Sequence, residues 1–325
     1  MSPDVLNAVE FIIEEQLPLL KSVEESWQPS DFLPDSSEAH WPEKVAELRK
    51  EALGLSDEVL VVLVGNLVTE EALPSYQTWL NRSEGLRDET GASETPWALW
   101  TRRWTAEENR HGEVLNRYLY LSGRVDMRSV EATVQHLIRN GFDPRSGADP
   151  FRALVYVSFQ ERATKIAHAN VGRAAQQGGD KTLTKICAAV ATDEARHEEA
   201  YKRIFGRLVE IHAERAVIAF AAMMRQKIAM PARFMSDGSG RDVFSRFAVI
   251  AQRLCVYTMR DYAEIIAHLI ELWKVSSLSL SGEAAGCQEY LCGLSAKYSS
   301  KADRMEEAAS RLPSEPFHWL FGRLV

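Results

Sequence analysis

Apolar residues recur every three to four positions along most of the chain, which is the period of a helix with one buried face. No convincing run of alternating apolar and polar residues predicts a strand. The period predicts helices over residues 56–81, 96–122, 150–175, 180–212, 214–230 and 242–273. Stretches rich in Gly, Pro, Ser and Asp separate them, as expected of loops. The pattern predicts an all-α fold and, because no flexible linker interrupts the helices, a single domain over residues 1–325.

Four of these helices carry acids or histidines on their apolar stripes. Glu70 lies three positions after Leu67 on the first, and Glu161 lies on the stripe of the helix over 150–175. The helices over 96–122 and 180–212 each carry a Glu three residues before a His, namely Glu108 and His111, and Glu194 and His197. Residues three or four apart share a helix face, so all six side chains are predicted to point into the core.

This arrangement occurs twice along the chain. A single Glu precedes its Glu-x-x-His by 38 residues in the first half (70 to 108) and by 33 in the second (161 to 194). One such pair alone is usually a surface pair. Four buried carboxylates and two imidazoles, however, repel one another unless cations neutralise them, and this donor pattern is that of ferritin-like di-iron and di-manganese bundles. Oxygen-rich ligation suits iron or manganese, whereas thiolates would favour zinc or iron–sulfur clusters.

Composition and charge further restrict the kind of protein and its expected location. The net charge of −8 gives no reason to expect a nucleic-acid partner, and no apolar run approaches the length of a membrane span. No two of the four cysteines form a C-x-x-C motif, and we expect all four to be reduced thiols. The acidic, amphipathic N-terminus lacks the features of a signal or transit peptide. We therefore expect a cytoplasmic protein, or one of the plastid stroma if a transit peptide has been removed.

Several long motifs carry a family resemblance. The stretches VLVGNLVTEEALPSYQT, RDETGAS, TAEENRHGEVLNRYLYLSGRVDM, SFQERAT and DEARHEEAY resemble those of the soluble acyl-acyl carrier protein desaturases, the plastid stearoyl type. The likeness runs from Trp27 to the closing FHWLF. It implies a ferritin-like di-iron helical bundle with additional helices, two iron ions per chain cycling between Fe2+ and Fe3+, and a homodimer. The implied reaction is oxygen-dependent insertion of a cis double bond into an acyl chain on acyl carrier protein, with electrons from ferredoxin.

The resemblance also implies roles for individual residues. Glu70 and His111 would ligate one iron, Glu161 and His197 the other, and Glu108 and Glu194 would bridge them. Hydrogen-bonded relays would run from the histidines through Asp193 to Trp27, and through Glu71 to Trp104. Solvated surface charge is the alternative role of both acids. Thr164 matches a threonine beside the oxygen-binding face, and its alternative role is a hydroxyl bonded back to the helix carbonyls.

Two positions differ from the family pattern where an acyl channel would pass. Trp79 and Ala153 stand where the family carries smaller residues, so we expect a shorter channel and a different chain length or bond position. The alternative is that Trp79 turns away and only packs. A basic patch for acidic acyl carrier protein is also expected, and solvated helix faces are the alternative for its candidate residues, which are Arg102, Arg103, Arg196, Lys202 and Arg203.

Other functions use similar ligands. A ferritin-like iron store would have a shorter chain and would continue to take up iron beyond two ions. A ribonucleotide-reductase-like radical protein needs a tyrosine beside the metals, whereas Tyr118 lies two turns past His111 and Tyr201 two turns past Glu194. A hydroxylase or other oxygenase acting on the same acyl substrate is the nearest alternative, because only substrate placement separates the two outcomes.

Overall fold

The computed structural model describes residues 3–83 and 85–325, and these residues are mainly helical. The helices are α1 (Pro3–Gln16), α2 (Trp41–Ala52), α3 (Asp57–Glu70), α4 (Leu73–Leu80), α5 (Pro96–Ser122), α6 (Met127–Asn140), α7 (Pro150–Gln177), α8 (Lys181–Ile211), α9 (Ala213–Gln226), α10 (Val243–Arg253), α11 (Met259–Leu272), α12 (Gly282–Cys292) and α13 (Leu294–Arg311). A short antiparallel hairpin, β1 (Pro316–Phe317) and β2 (Arg323–Leu324), follows them. The predicted all-α class is confirmed.

Two predicted helices are in fact two helices each. The stretch 56–81 breaks after Glu70, and α4 resumes with Pro74 in its first turn, where a missing N–H is tolerated. The stretch 242–273 breaks between α10 and α11, where Cys255 takes a positive φ of 52° and Thr258 caps α11 with Asp261. The helix over 214–230 ends earlier, at Gln226. Periodicity alone did not identify α1, α2, α6, α12 and α13.

The centre of the bundle is formed by α3, α5, α7 and α8. A two-glycine turn joins α7 to α8, and Asp180 then caps α8 by accepting a hydrogen bond from the amide of Leu183 at 2.7 Å. The α7–α8 pair has the most extensive helix–helix contact among the described residues. Both helices span about thirty residues, 28 and 31, so they can carry ligands in mid-length with apolar packing on either side.

Helix α3 is apolar on every side. All residues from Val59 to Glu70 are buried, because α5, α6, α7 and α10 surround the helix. The combined stretch Asp57–Leu80 is long and apolar enough to cross a membrane, yet 83% of its most apolar window is buried in the bundle. An enclosed core helix has the same composition as a membrane span, so this finding is weak evidence for one.

Candidate metal centre

The six predicted ligand residues come from the four central helices. Glu70 is the last residue of α3, Glu161 lies in α7, and the two Glu-x-x-His pairs lie midway along α5 and α8. All six side chains are buried, with residue exposures of 7% or less. The helical period places each pair on one face, and bundle packing then turns the four faces toward one another.

The structure brings these side chains together in two overlapping groups. One contains Glu70, Glu108, His111 and Glu194, and the other contains Glu108, Glu161, Glu194 and His197. Within each group the potential ligand atoms lie within 4.8 Å of one another. Glu108 and Glu194 belong to both groups, as two carboxylates placed between two metal ions would.

Both histidines direct Nδ1 toward the carboxylates. His111 Nδ1 lies 3.2 Å from Glu108 and 3.4 Å from Glu194, and His197 Nδ1 lies 2.8 Å from Glu108 and 3.6 Å from Glu161. Within the described part of the chain, neither Nδ1 makes a well-directed hydrogen bond, and one oxygen each of Glu108 and Glu194 also lacks one. Buried polar atoms normally have partners. Converging lone pairs without donors fit metal ligands.

The electrostatics of the cluster also favour cations. Burial, together with the neighbouring carboxylates Glu194 and Glu108, raises the pKa of Glu161 well above its usual range. Burial alone would lower the pKa of His111, but Glu108, Asp193 and Glu194 outweigh it and raise that pKa well above its usual range. Buried negative charge contributes to both shifts, after burial itself in the case of Glu161, and divalent ions would neutralise it. The donor set therefore fits a pair of metal ions.

Each histidine has a second carboxylate behind it, at Nε2. Asp193 Oδ2 accepts a hydrogen bond from Trp27 Nε1 at 2.9 Å, as the expected relay requires, and lies 3.5 Å from His111 Nε2, which makes no well-directed hydrogen bond in the described structure. Glu107 Oε2 lies 3.0 Å from His197 Nε2. We call Asp193 and Glu107 the outer carboxylates. Such groups fix the tautomer and ring orientation of a ligating histidine.

The expected relay from His197 through Glu71 to Trp104 is wrong. Glu71 leaves the end of α3 and lies against Gly112 of α5, where an added Cβ would come within 3.2 Å of its carboxyl carbon. Trp104 Nε1 has no hydrogen-bond partner in the described structure, and the indole meets His197 edge-on at 6.5 Å between ring centroids. The helix break after Glu70 redirects Glu71, and Glu107 takes the expected place.

Sequence reasoning missed Glu107, although a signal was present. The pairs sit in EENRH (107–111) and DEARH (193–197), so an acid precedes the shared Glu and an Arg precedes the His both times. The outer carboxylates cross over between helices: Glu107 of α5 serves His197 of α8, and Asp193 of α8 serves His111 of α5. The repeat was visible, but the crossing requires the helix packing.

A buried histidine also escaped notice. His168 Nε2 lies 2.8 Å from Glu70 Oε1, so the carboxylate at the end of α3 is held from α7. Burial opposes ionisation of Glu70, but His111 and His168 outweigh it and lower its pKa. His168 follows Thr164 by four positions on the same helical stripe, which was the available signal.

A small cavity of about 30 Å³ adjoins the cluster. Its walls are Thr69, Glu70, Tyr76, Trp79, Trp104, Glu108, Tyr156, Val157, Gln160, Glu161, Thr164 and Glu194. Trp79 faces this cavity and is held by a 2.7 Å hydrogen bond from Nε1 to Ser146 Oγ. Thr164 lines it too, while its hydroxyl is bonded back to the carbonyls of Gln160 and Glu161. Ala153 is buried in the core and is not one of the lining residues.

The five basic candidates do not form one free patch. Arg102 pairs with Asp88, and Lys202 and Arg203 pair with glutamates of α8. Arg196 is turned inward, with a side chain 19% exposed, and binds both outer carboxylates. Arg103 is exposed.

The two tyrosines near ligand positions have other surroundings. Tyr118 donates a hydrogen bond to Asp180, far along α5 from the cluster. The ring of Tyr201 packs against Trp100 and Trp104, and its hydroxyl has no well-directed partner among the described residues. A tyrosine must lose its proton when oxidised, so the absence of an acceptor disfavours a stored radical at Tyr201.

Fold and site together define a helical bundle with two overlapping carboxylate–histidine groups that could hold metal ions. The sequence model of the fatty acid desaturase family matches residues 2–321, and the chain belongs to that family. It is 54% identical over 314 residues to stearoyl-[acyl-carrier-protein] 9-desaturase 1, chloroplastic, of Arabidopsis thaliana, covering 95% of this chain and 79% of the relative. It is 49% identical over 324 residues to acyl-[acyl-carrier-protein] 6-desaturase of Thunbergia alata, covering 99% and 84%.

A solved structure shares the fold. DesA2 from Mycobacterium tuberculosis aligns with a TM-score of 0.53 at 17% identity, over 84% of this chain and 96% of that one. At this identity the likeness concerns the fold alone. The family resemblance inferred from the motifs is confirmed by the family match and by the curated relatives.

Proposed function

We propose that this chain is an acyl-[acyl-carrier-protein] desaturase. The observation that carries the proposal is the pair of overlapping Glu and Glu-x-x-His groups beside a small cavity, in a chain of the fatty acid desaturase family. Its substrate is a saturated acyl chain on acyl carrier protein, the carrier named in the descriptions of its relatives. The product is a cis double bond.

Two iron ions suit the donor set, which is rich in oxygen and free of thiolate. Glu70 and His111 would hold one ion, Glu161 and His197 the other, and Glu108 and Glu194 would contact both. Bound iron would supply the oxidising power, drawn from dioxygen, that removes hydrogen from unactivated methylenes. Acid–base side chains alone cannot do this.

The electron balance fixes what else is needed. Reducing dioxygen to two waters takes four electrons and four protons. The breaking of two C–H bonds provides two of each, so a donor must provide two electrons, and two protons come from solvent. We propose ferredoxin as that donor. The resemblance also supports a homodimer, located in the plastid stroma or the cytoplasm.

The protein's own residues would hold the metal ions and orient the acyl chain beside them. Asp193 and Glu107 keep the histidine Nδ1 atoms directed at the metal positions. The cavity beside the cluster would receive the reacting methylenes, and Glu161 and Thr164 both line it. A chain held beside the metals in one register determines which bond is oxidised.

Trp79 is proposed to limit the acyl chain. Its indole is fixed by Ser146 and packs edge-on against Phe142 and Tyr156, with ring centroids 5.9 and 5.1 Å away. Trp79→Met should open the cavity and shift activity toward longer chains, whereas Trp79→Phe keeps a ring and should shift the profile less. Both variants are compared with the unmodified protein on a chain-length series. An unchanged profile in Trp79→Met refutes this role.

The central test is turnover of the iron-loaded protein with saturated acyl carrier protein substrates, ferredoxin, its reductase and oxygen. A mono-unsaturated product, lost in Glu108→Ala, is expected, and mass spectrometry locates its double bond. The relatives include 9- and 6-desaturases, so family membership leaves the bond position open. Hydroxylated chains instead would identify the alternative, an acyl hydroxylase. Iron uptake far beyond two ions per chain would indicate a storage protein.

A further inference from the structure

One guanidinium joins the two outer carboxylates. Arg196 Nη2 donates to Glu107 Oε2 at 2.7 Å and also to Asp193 Oδ1. Glu107 backs His197, and Asp193 backs His111. We propose that Arg196 is a positioning residue that couples the two metal positions to each other and to the chain segment 19–27. The inference rests on the metal binding proposed above.

The planar fork of Arg196 is fully engaged on its Nη atoms. Its other terminal nitrogen, Nη1, donates to the second oxygen of Glu107, Oε1, at 3.2 Å and to the carbonyl of Leu19. Bidentate contacts of this kind fix direction as well as charge, which a lysine cannot reproduce. Any tilt of the guanidinium therefore changes both histidine environments together.

The segment 19–27 is attached to the same layer of side chains at both ends. At one end, the Lys21 amide donates to Glu107 Oε1 at 2.7 Å, beside the Leu19 contact. At the other, Trp27 Nε1 donates to Asp193, and the indole stacks on His111 with 11° between ring planes. Residues 21–25 between these points are exposed. Within this exposed part the hydrogen bonds are local, from Glu25 and Ser26 back to Ser22 and Val23.

Arg110 provides a matched control within the chain. It precedes His111 as Arg196 precedes His197, and its side chain is similarly enclosed. Its hydrogen bonds, however, go to Asp193 at 3.4 Å and the carbonyl of Trp27 at 3.0 Å, and its guanidinium lies over the Trp27 ring at 4.8 Å. In the described structure it has no hydrogen bond or ion pair with Glu107. Arg110 thus serves one outer carboxylate and Arg196 serves two.

Removing Arg196 would affect both outer carboxylates, and Glu107 more than Asp193. Asp193 would keep Arg110 and Trp27, whereas Glu107 would keep only His197 and one backbone amide. Glu107 is a buried carboxylate, so losing its cation leaves an uncompensated charge. Both histidines lose orientation, His197 more than His111.

The experiment compares Arg196→Gln with Arg110→Gln in the full chain, using anaerobic Co2+ and Fe2+ titrations. Arg196→Gln should weaken binding of both ions about 10- to 100-fold and alter the Co2+ absorption bands of both positions. Arg110→Gln should weaken one ion only. Hydrogen exchange of residues 19–27 should slow on metal loading in the unmodified protein, remain slowed in Arg110→Gln near Lys21, and lose this response in Arg196→Gln.

Arg196→Lys addresses the case in which Arg196→Gln does not fold. It keeps the charge but reaches one carboxylate at a time, so both ions should still bind about tenfold more weakly. Unmodified affinity for both ions, or loss confined to one ion, overturns the inference. Metal-dependent exchange in segment 19–27 that survives the substitution also overturns it.

Failure of this inference differs from failure of the proposed function. A protein that desaturates, with Arg196 variants that bind both ions normally, refutes the coupling alone. An unmodified protein that binds no pair of ions refutes both. Coupled binding without desaturation leaves the coupling in place and refutes the proposed reaction.

Discussion

The two halves of the metal centre share a sequence pattern and differ in their surroundings. Glu107 meets His197 at 3.0 Å, whereas Asp193 lies 3.5 Å from His111. Trp27 stacks flat on His111, and Trp104 meets His197 edge-on. The same residue spacing therefore gives both helices the same candidate ligands, while different neighbouring side chains determine how tightly each histidine is held.

The single glutamates differ in the same way. Glu70 is held by His168, and its pKa is lowered. The Glu161 carboxylate makes no well-directed hydrogen bond among the described residues, has His197 Nδ1 at 3.6 Å, and has a raised pKa. The Glu161 position is thus the less constrained of the two, although both glutamates line the cavity where substrate is proposed to bind. A carboxylate free to reorient belongs where ligands must enter.

The largest expected effect is on metal content, and it distinguishes a ligand residue common to both groups from one that belongs to a single group. Glu108→Ala removes a carboxylate common to both groups and should abolish paired metal binding and turnover. Glu70→Ala should remove one ion and leave the second half able to bind the other. Metal content by elemental analysis checks both variants. Equal losses in the two would contradict the assignment of Glu108 to both positions.

The second expected effect is on stability and concerns Glu198, the residue that follows His197. Glu198 follows His197 and binds Arg162 at 2.7 Å, Lys202 at 3.1 Å and Lys165, whereas Gly112 follows His111. Burial opposes ionisation of Glu198, but Lys165 and Arg162 outweigh it and lower its pKa from 4.5 to about 2.

This stabilisation is present above the unfolded pKa and is lost as pH falls from about 4.5 to 2, since the unfolded carboxylate takes up its proton first. Glu198→Gln should lower the free energy of unfolding near neutral pH by on the order of 3 kcal/mol and flatten its acid limb. Urea unfolding between pH 2.5 and 7 measures both. An acid limb as steep as in the unmodified protein would argue against Glu198.

The next comparison tests the outer carboxylates directly. Glu107→Gln and Asp193→Asn remove one charge each with little change in shape. Each should weaken one metal ion about tenfold, and Glu107→Gln should have the larger effect because its contact with the histidine is shorter. Calorimetric titration with Co2+ resolves the two ions. The reverse order would show that the number of partners matters more than distance.

The smallest effect is expected at Gly112. An alanine there gains about 1 kcal/mol of helix propensity but brings a methyl group within 3.2 Å of the Glu71 carboxyl, a half-buried group that can shift. The free energy of unfolding of Gly112→Ala should change by less than about 1 kcal/mol. Thermal unfolding checks it. A loss of several kcal/mol would show that Glu71 is more firmly held than its position implies.

Sequence-based prediction performed best where the signal is local. The helical class and the central helices followed from periodicity, and the Glu and Glu-x-x-His residues followed from spacing within single helices. The helix ends at Glu70 and Arg253 were missed because a proline in the first turn of α4 and the positive φ at Cys255 leave the apolar period almost intact. The outer helices α1, α2, α6, α12 and α13 were missed although α13, with 18 residues, is longer than α9, with 14.

What the sequence determined by itself is which side chains share a face of one helix, because a period of 3.6 residues needs no other element. It thereby identified six ligand candidates and, through its motifs, the family. Only the tertiary structure decided which carboxylate backs which histidine, since Glu107 and His197 lie 90 residues apart on different helices. The position of Arg196 between two carboxylates, and of Trp27 on His111, likewise depends on how helices and an N-terminal segment pack against one another.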